Sequence, residues 1–233
     1  MATPSSLSHL GKRQFVAMIA AIMAMGALGI DLMLPVFDEL RAHFGLDAGS
    51  TDVAQIVTMY FLGMAVGQVF YGPFADRFGR KPVLYVGMAI YLLGAVGAAM
   101  APSLSVMLAA RFVWGIGAAG PRVVAVAVVR DVYEGKAMAK AMSFIMAVFI
   151  IIPILAPSIG AVIAALGPWQ LVFWFCALYV IALAAWSTRL PETLMEDDRR
   201  PLRLGPVVDA ARQVVSNRQA IGYTMAMAFL FGA

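Results

Sequence analysis

Charge is what this sequence has least of. Asp, Glu, Lys and Arg make up 13% of it, about half the share of a soluble domain, while hydrophobic residues reach 62%. A charged, water-facing surface on all sides is thereby excluded, and an integral membrane protein is expected. The single cysteine, Cys176, excludes an internal disulfide and a thiolate metal site, and its apolar run makes it a small lipid- or helix-facing residue. Only two histidines occur, His9 and His43, each isolated in a polar segment. Paired catalytic carboxylates, metal-ligand spacing, G-x-S-x-G and H-E-x-x-H are all missing, so the sequence predicts no enzyme, no bound metal and no cofactor. The formal net charge of +4 points to no nucleic acid, because the basic residues are distributed loop by loop.

Long apolar runs are plentiful. The pattern predicts helices over Gln14–Val36, Val53–Tyr71, Val83–Ala101, Val106–Val129, Met142–Leu166 and Trp169–Leu190, each long enough at 1.5 Å per residue to cross the apolar layer of a bilayer. Asp38–Asp52 and Arg130–Lys140 read as polar loops, and Trp169 and Trp186 as interfacial aromatics near opposite faces. A final run, Ala220–Ala233, is too short to span. The predicted organisation is a six-helix transmembrane domain over 1–190, a cytoplasmic linker over 191–219 and the start of a seventh helix over 220–233. Within the linker, Val207, Val208, Ala211, Val214 and Val215 recur at helical spacing and suggest an interfacial helix. Alternate segments hold Lys12 and Arg13; Arg77, Arg80 and Lys81; Arg130, Lys136 and Lys140; and the arginines from Arg189 to Arg218, whereas the other side holds Arg41 alone. By the positive-inside rule the N-terminus is cytoplasmic, and the chain is multi-pass.

One charged passage separates the second and third spans: Gly72-Pro73-Phe74-Ala75-Asp76-Arg77-Phe78-Gly79-Arg80-Lys81-Pro82-Val83-Leu84. It resembles the signature loop of the major facilitator superfamily, G-x-L-A-D-R-x-G-R-K-x-x-L, with Phe74 in place of the usual leucine. Pro73 and Gly67-Gln68 point further, to the bicyclomycin-resistance-type drug efflux branch. The resemblance implies an all-α fold of twelve helices in two halves, each a pair of inverted three-helix repeats. This chain covers only the first half, so a C-terminal six-helix half is the expected partner. It also implies a conformational latch formed by Gly72, Asp76, Arg77, Gly79, Arg80, Lys81, Arg130 and Asp131.

Three ionisable residues fall inside the predicted spans, Asp31, Arg111 and Arg122, and such residues are functional candidates by default. Arg111 and Arg122 are 11 residues apart, which leaves them about 20° from eclipsed on one helix face. The stripe Arg111-Gly115-Ala118-Arg122 reads as a cavity wall, and Asp31 has a depth that permits a pair with Arg111. A structural ion pair locking the first helix to the fourth is the alternative. Asp31-Leu32-Met33-Leu34-Pro35 and Arg111-Phe112-Val113-Trp114-Gly115 resemble motifs of drug:proton antiporters, which implies proton coupling through Asp31 and Arg111. Pro153, Pro157 and Gly160 resemble the antiporter motif G-P-x-x-G-G, with alanines replacing two glycines. Gly115-Ile116-Gly117-Ala118-Ala119-Gly120 matches G-x-G-x-x-G, but no strand precedes it, so close helix packing is expected rather than a dinucleotide.

The resulting expectation is export of small amphipathic, drug-like compounds in exchange for protons, within membrane lipid. A metabolite transporter of the same fold and a truncated, non-transporting product are the alternatives.

Overall fold

The computed structural model describes residues 11–47, 49–199 and 216–232. Its helices are α1 (Lys12–Asp31), α2 (Phe37–Phe44), α3 (Gln55–Phe78), α4 (Arg80–Ala99), α5 (Leu104–Val132), α6 (Gly135–Ala165), α7 (Gln170–Ser187) and α8 (Arg218–Gly232), with no strand among the described residues. Among the described residues six stretches are long and apolar enough to cross a membrane, α1 with α2 counting as one. The chain divides into two units, Met1–Arg199 and Arg200–Ala233. In the second only α8 and the two residues before it are described, and the predicted interfacial helix lies outside the described residues.

Helix ends differ from the expected ones for local reasons. α1 stops at Asp31 rather than running to Val36, because Pro35 has no N–H to offer the Asp31 carbonyl and its ring crowds that oxygen. A 3₁₀ turn at Leu34–Val36 redirects the chain into α2, where a polar loop was expected. Asp38 and Glu39 lie in the first turn of α2 and Arg41 and His43 in its last, the order that suits a helix dipole. Gly45 ends α2 at φ +65. The charged passage 72–84 is helical as well: α3 continues to Phe78, α4 begins at Arg80, and Gly79 alone, at φ +100, makes the turn. The predicted loop after α5 shrinks to Tyr133 and Glu134.

α5 is the packing centre of the larger unit. Its glycines admit neighbouring backbones: a Cβ on Gly115 would lie 2.0 Å from the Tyr60 carbonyl oxygen, and one on Gly117 2.1 Å from the Tyr91 nitrogen. α3 and α4 return the arrangement, since a Cβ on Gly63 would meet the Phe112 carbonyl at 2.0 Å and one on Gly94 the Trp114 Cα at 2.4 Å. Contact this close is how helices associate where lipid removes the hydrophobic drive. α1 lies deep in the unit, with Phe15 to Gly29 largely buried, while α6 buries only Ala141, Ile145, Ala156 and Gly160.

One end of the bundle gathers the start of α1, the α3–α4 turn and the ends of α5 and α7. The contacts Phe15–Tyr133, Arg80–Asp131 and Arg80–Glu192 establish this. At the other end His43 stacks edge-on against Trp169, ring centroids 5.1 Å apart. Trp169 is 5% exposed there, so at its end of the bundle it is a buried anchor between α2 and α7.

Candidate functional site: a buried arginine, an ionic cluster and a groove

Arg111 is completely buried. Its Nη1 donates to the Gly29 carbonyl at 2.8 Å and its Nε to the Ile56 carbonyl at 3.2 Å. The guanidinium carbon lies 4.6 Å from the ring centroids of both Tyr60 and Trp114. Gly29 is in the last turn of α1, where carbonyls lack intrahelical donors and the helix dipole is negative. The helix end therefore takes the place of a counter-ion. Tyr60 and Tyr91 add hydroxyl donors to the carbonyls of Gly26 and Met25, each at 3.0 Å, so α1 is gripped over one full turn. Nη2 of Arg111 has no hydrogen-bond partner among the described residues.

The Asp31–Arg111 pair that their depths permit is not formed. Ion pairs among the described residues are Arg41–Asp38, Arg80–Asp76 and Arg80–Asp131. Asp31 is half-buried as the last residue of α1, two residues beyond the carbonyl that Arg111 caps. Gly160 presses against the same helix end, where a Cβ would lie 2.1 Å from the Leu32 carbonyl oxygen. Gly160 of the proline motif in α6 is therefore in close backbone contact with the C-terminal cap of α1. Pro153 is exposed and Pro157 half-buried.

The stripe Arg111-Gly115-Ala118-Arg122 is not one wall. Gly115 is closed by the Tyr60 backbone and Ala118 is 1% exposed, since residues this small let α3 and α4 approach α5. Arg122 alone of the four is exposed, its guanidinium 5.3 Å from the Phe149 ring centroid.

Arg122 lines a groove of about 450 Å³ between α3 and α5, with Gln68, Asp76, Arg80, Arg130 and Asp131. At the groove's end Arg80 donates to Asp76 Oδ1 at 2.6 Å through Nη1 and to Asp131 Oδ2 at 3.0 Å through Nε. The carboxylate of Glu192 accepts from the Arg80 and Lys81 backbone N–H groups at 2.9 and 3.0 Å, a negative charge on the N-terminus of α4. Thr193 donates its hydroxyl to Asp131 at 2.9 Å, and Lys81 Nζ donates to the Thr188 carbonyl at 2.9 Å. Gly72 borders the groove, whereas Arg77 and Arg130 are exposed and make no ion pair among the described residues. Glu192 and Thr193 tie residues beyond 190 to the six-helix unit, so its edge lies past the predicted boundary. Both fall in the stretch predicted as the cytoplasmic linker.

The family model described as "Major Facilitator Superfamily" matches residues 7–233. The chain belongs to the major facilitator superfamily. The bicyclomycin resistance protein homolog of Haemophilus influenzae is 33% identical over 219 residues, which is 94% of this chain and 54% of that protein. Multidrug resistance protein MdtL of Escherichia coli is 35% identical over 170 residues, 73% of this chain and 43% of that one. The inward-open structure of the xylose transporter XylE from E. coli superimposes with a TM-score of 0.67 at 17% identity, over 94% of this chain and 56% of that chain. The chain thus spans about half the length of the curated relatives it matches. Its larger unit is a multi-pass membrane domain of major facilitator architecture.

Proposed function

We propose that this chain forms the proton-handling half of a multidrug efflux antiporter, completed by a second six-helix half. The similarity to proteins named for bicyclomycin and multidrug resistance supports drug export over other superfamily activities. The observation that carries the coupling is the arrangement at the end of α1: a carboxylate, Asp31, with no ion-pair partner among the described residues, two residues from a carbonyl held by a buried arginine. A carboxylate in that position exchanges its proton as the hydration of the cavity changes. Movement of α1 relative to α5 alters its distance from the Arg111 charge, which links the proton to the conformation.

In this reading the end with Gly79 faces the cytoplasm, as the basic residues there require. The Asp76–Arg80–Asp131 cluster and Glu192 then brace the cytoplasmic ends of α3, α4, α5 and α7 into one body, against which the second half closes. The protein is a transporter, without chemistry on its substrate.

The test is substrate-dependent proton flux in vesicles from cells expressing the protein, over a panel of neutral, cationic and anionic amphiphiles. Asp31→Asn is expected to abolish flux while leaving membrane insertion intact. Uphill transport by Asp31→Asn at the normal rate would make Asp31 structural and overturn the coupling scheme.

A further inference from the structure

We infer that the groove between α3 and α5 is an anion-binding site, with Arg122 and Arg130 as its recognition residues and a carboxylate, sulfonate or phosphate on an amphipathic molecule as its ligand. The lining of the groove contains three arginines and two aspartates. Both aspartates are already engaged by Arg80, Asp76 at 2.6 Å and Asp131 at 3.0 Å. Arg122 and Arg130 are exposed and lack a carboxylate within ion-pair distance among the described residues. The charge left over in the groove is therefore positive, and it sits on those two side chains.

Depth makes that charge informative. Arg122 is ten residues before the end of α5, about 15 Å along the helix axis, inside a stretch of membrane-spanning length. An arginine at such depth faces water, protein or a bound anion, because exposure to lipid is costly. Phe149 fixes the guanidinium through its face, which leaves the in-plane N–H groups free to bind an oxyanion as a fork. Val126, one turn from each arginine, and its neighbour Val123 supply an apolar wall on the same side. An anion lying against Val126 meets Arg122 from one direction and Arg130 from the other. A cation placed there is repelled by both arginines, and the carboxylates that could attract it are already engaged by Arg80.

The transported compound is one source of such an anion, and in that respect the inference rests on the transporter reading. The headgroup of an anionic lipid is the other source. Three probes of one shape test the site: naphthalene-2-sulfonate, neutral 2-naphthol and a naphthyl trimethylammonium cation, titrated by calorimetry into the protein in a neutral detergent. The sulfonate is expected to bind, the cation not to, and Arg122→Gln to weaken the sulfonate about tenfold or more. Arg130→Gln is expected to weaken it less, Arg122→Lys to retain part of it, and Arg199→Gln, outside the groove, to change nothing. Protection of Cys176 from a thiol reagent establishes that each variant is folded. Repeating the titration in nanodiscs of phosphatidylcholine, with and without phosphatidylglycerol, separates the sources. Competition by the anionic lipid assigns the site to a headgroup, its absence assigns it to a soluble amphiphile, and either supports an anion site. Equal binding of all three probes, or a folded Arg122→Gln protein that binds the sulfonate like the wild type, overturns it. Sulfonate binding without proton flux would sink the transporter reading instead, so the two failures are distinct.

Discussion

Replacing Gly115 by alanine adds one methyl group where two backbones already touch. A Cβ at Gly115 would lie 2.0 Å from the Tyr60 carbonyl oxygen and 2.9 Å from the Met64 nitrogen. Carbon and a carbonyl oxygen tolerate no less than about 3.3 Å, so α3 and α5 must part by roughly 1.3 Å along that line. No rotamer change relieves the clash, because both contacts are main chain. Overpacking of this kind costs about 1–3 kcal/mol. The same displacement lengthens the bond from Arg111 Nε to the Ile56 carbonyl, now 3.2 Å, beyond hydrogen-bonding range, at a further cost of about 1.5–3 kcal/mol for a charged donor. The sum is about 2.5–6 kcal/mol, or on the order of 10 °C in melting temperature for a chain of this size. Cys176 provides the assay: it is the sole cysteine and 2% exposed, so a fluorogenic maleimide reacts with it only as the unit unfolds. Gly72→Ala is the control, since a Cβ there meets nothing within 4 Å; it is expected to melt at or slightly above the wild type. An unchanged melting temperature for Gly115→Ala would refute the packing argument and, with it, the reason Gly115 was removed from the cavity wall.

Three further outcomes are expected. Arg111→Met loses two hydrogen bonds and two aromatic contacts but is relieved of burying a charge, so its stability changes by no more than about 2 kcal/mol while proton flux disappears; a large drop in melting temperature would make Arg111 mainly a structural clamp. Glu192→Gln weakens the cap on α4 and lowers stability by about 1 kcal/mol, a deficit that shrinks in high salt because the site is partly exposed; a deficit insensitive to salt would argue against a charge effect. Single cysteines at Asp47 and Ser216 test the orientation with a membrane-impermeant maleimide on intact cells, where labelling of Asp47→Cys alone is expected and labelling of Ser216→Cys alone would invert the topology.

The sequence alone determined the six spans and which chain segments share an end, because both are local properties. A run of about 20 apolar residues is a sum over its own side chains, and alternation of spans places Lys12, Arg80, Asp131 and Arg189 together however the helices rotate. The end of α1 was legible too, had Pro35 been read as excluding the carbonyl four residues earlier. The role of the G-x-G-x-x-G stretch in close packing followed from residue size and membrane context, and Gly115 and Gly117 carry it out against α3 and α4.

Only the tertiary structure decided where the buried charges go. Depth along a helix can be counted from sequence, and on that count Asp31 and Arg111 were eligible partners. Which groups meet depends on helix rotation and on where backbone dipoles end, neither of which is written in the spacing of charged residues. Arg111 turned to a helix terminus and two aromatic faces, and Gly115 and Ala118 were spent on packing, leaving Arg122 as the member of that stripe open to the groove. Glu192 likewise acquired its role from a contact with residues more than a hundred positions away. Backbone carbonyls and amides are identical at every position, so a site built from them becomes visible only once the chain has brought one helix end against another.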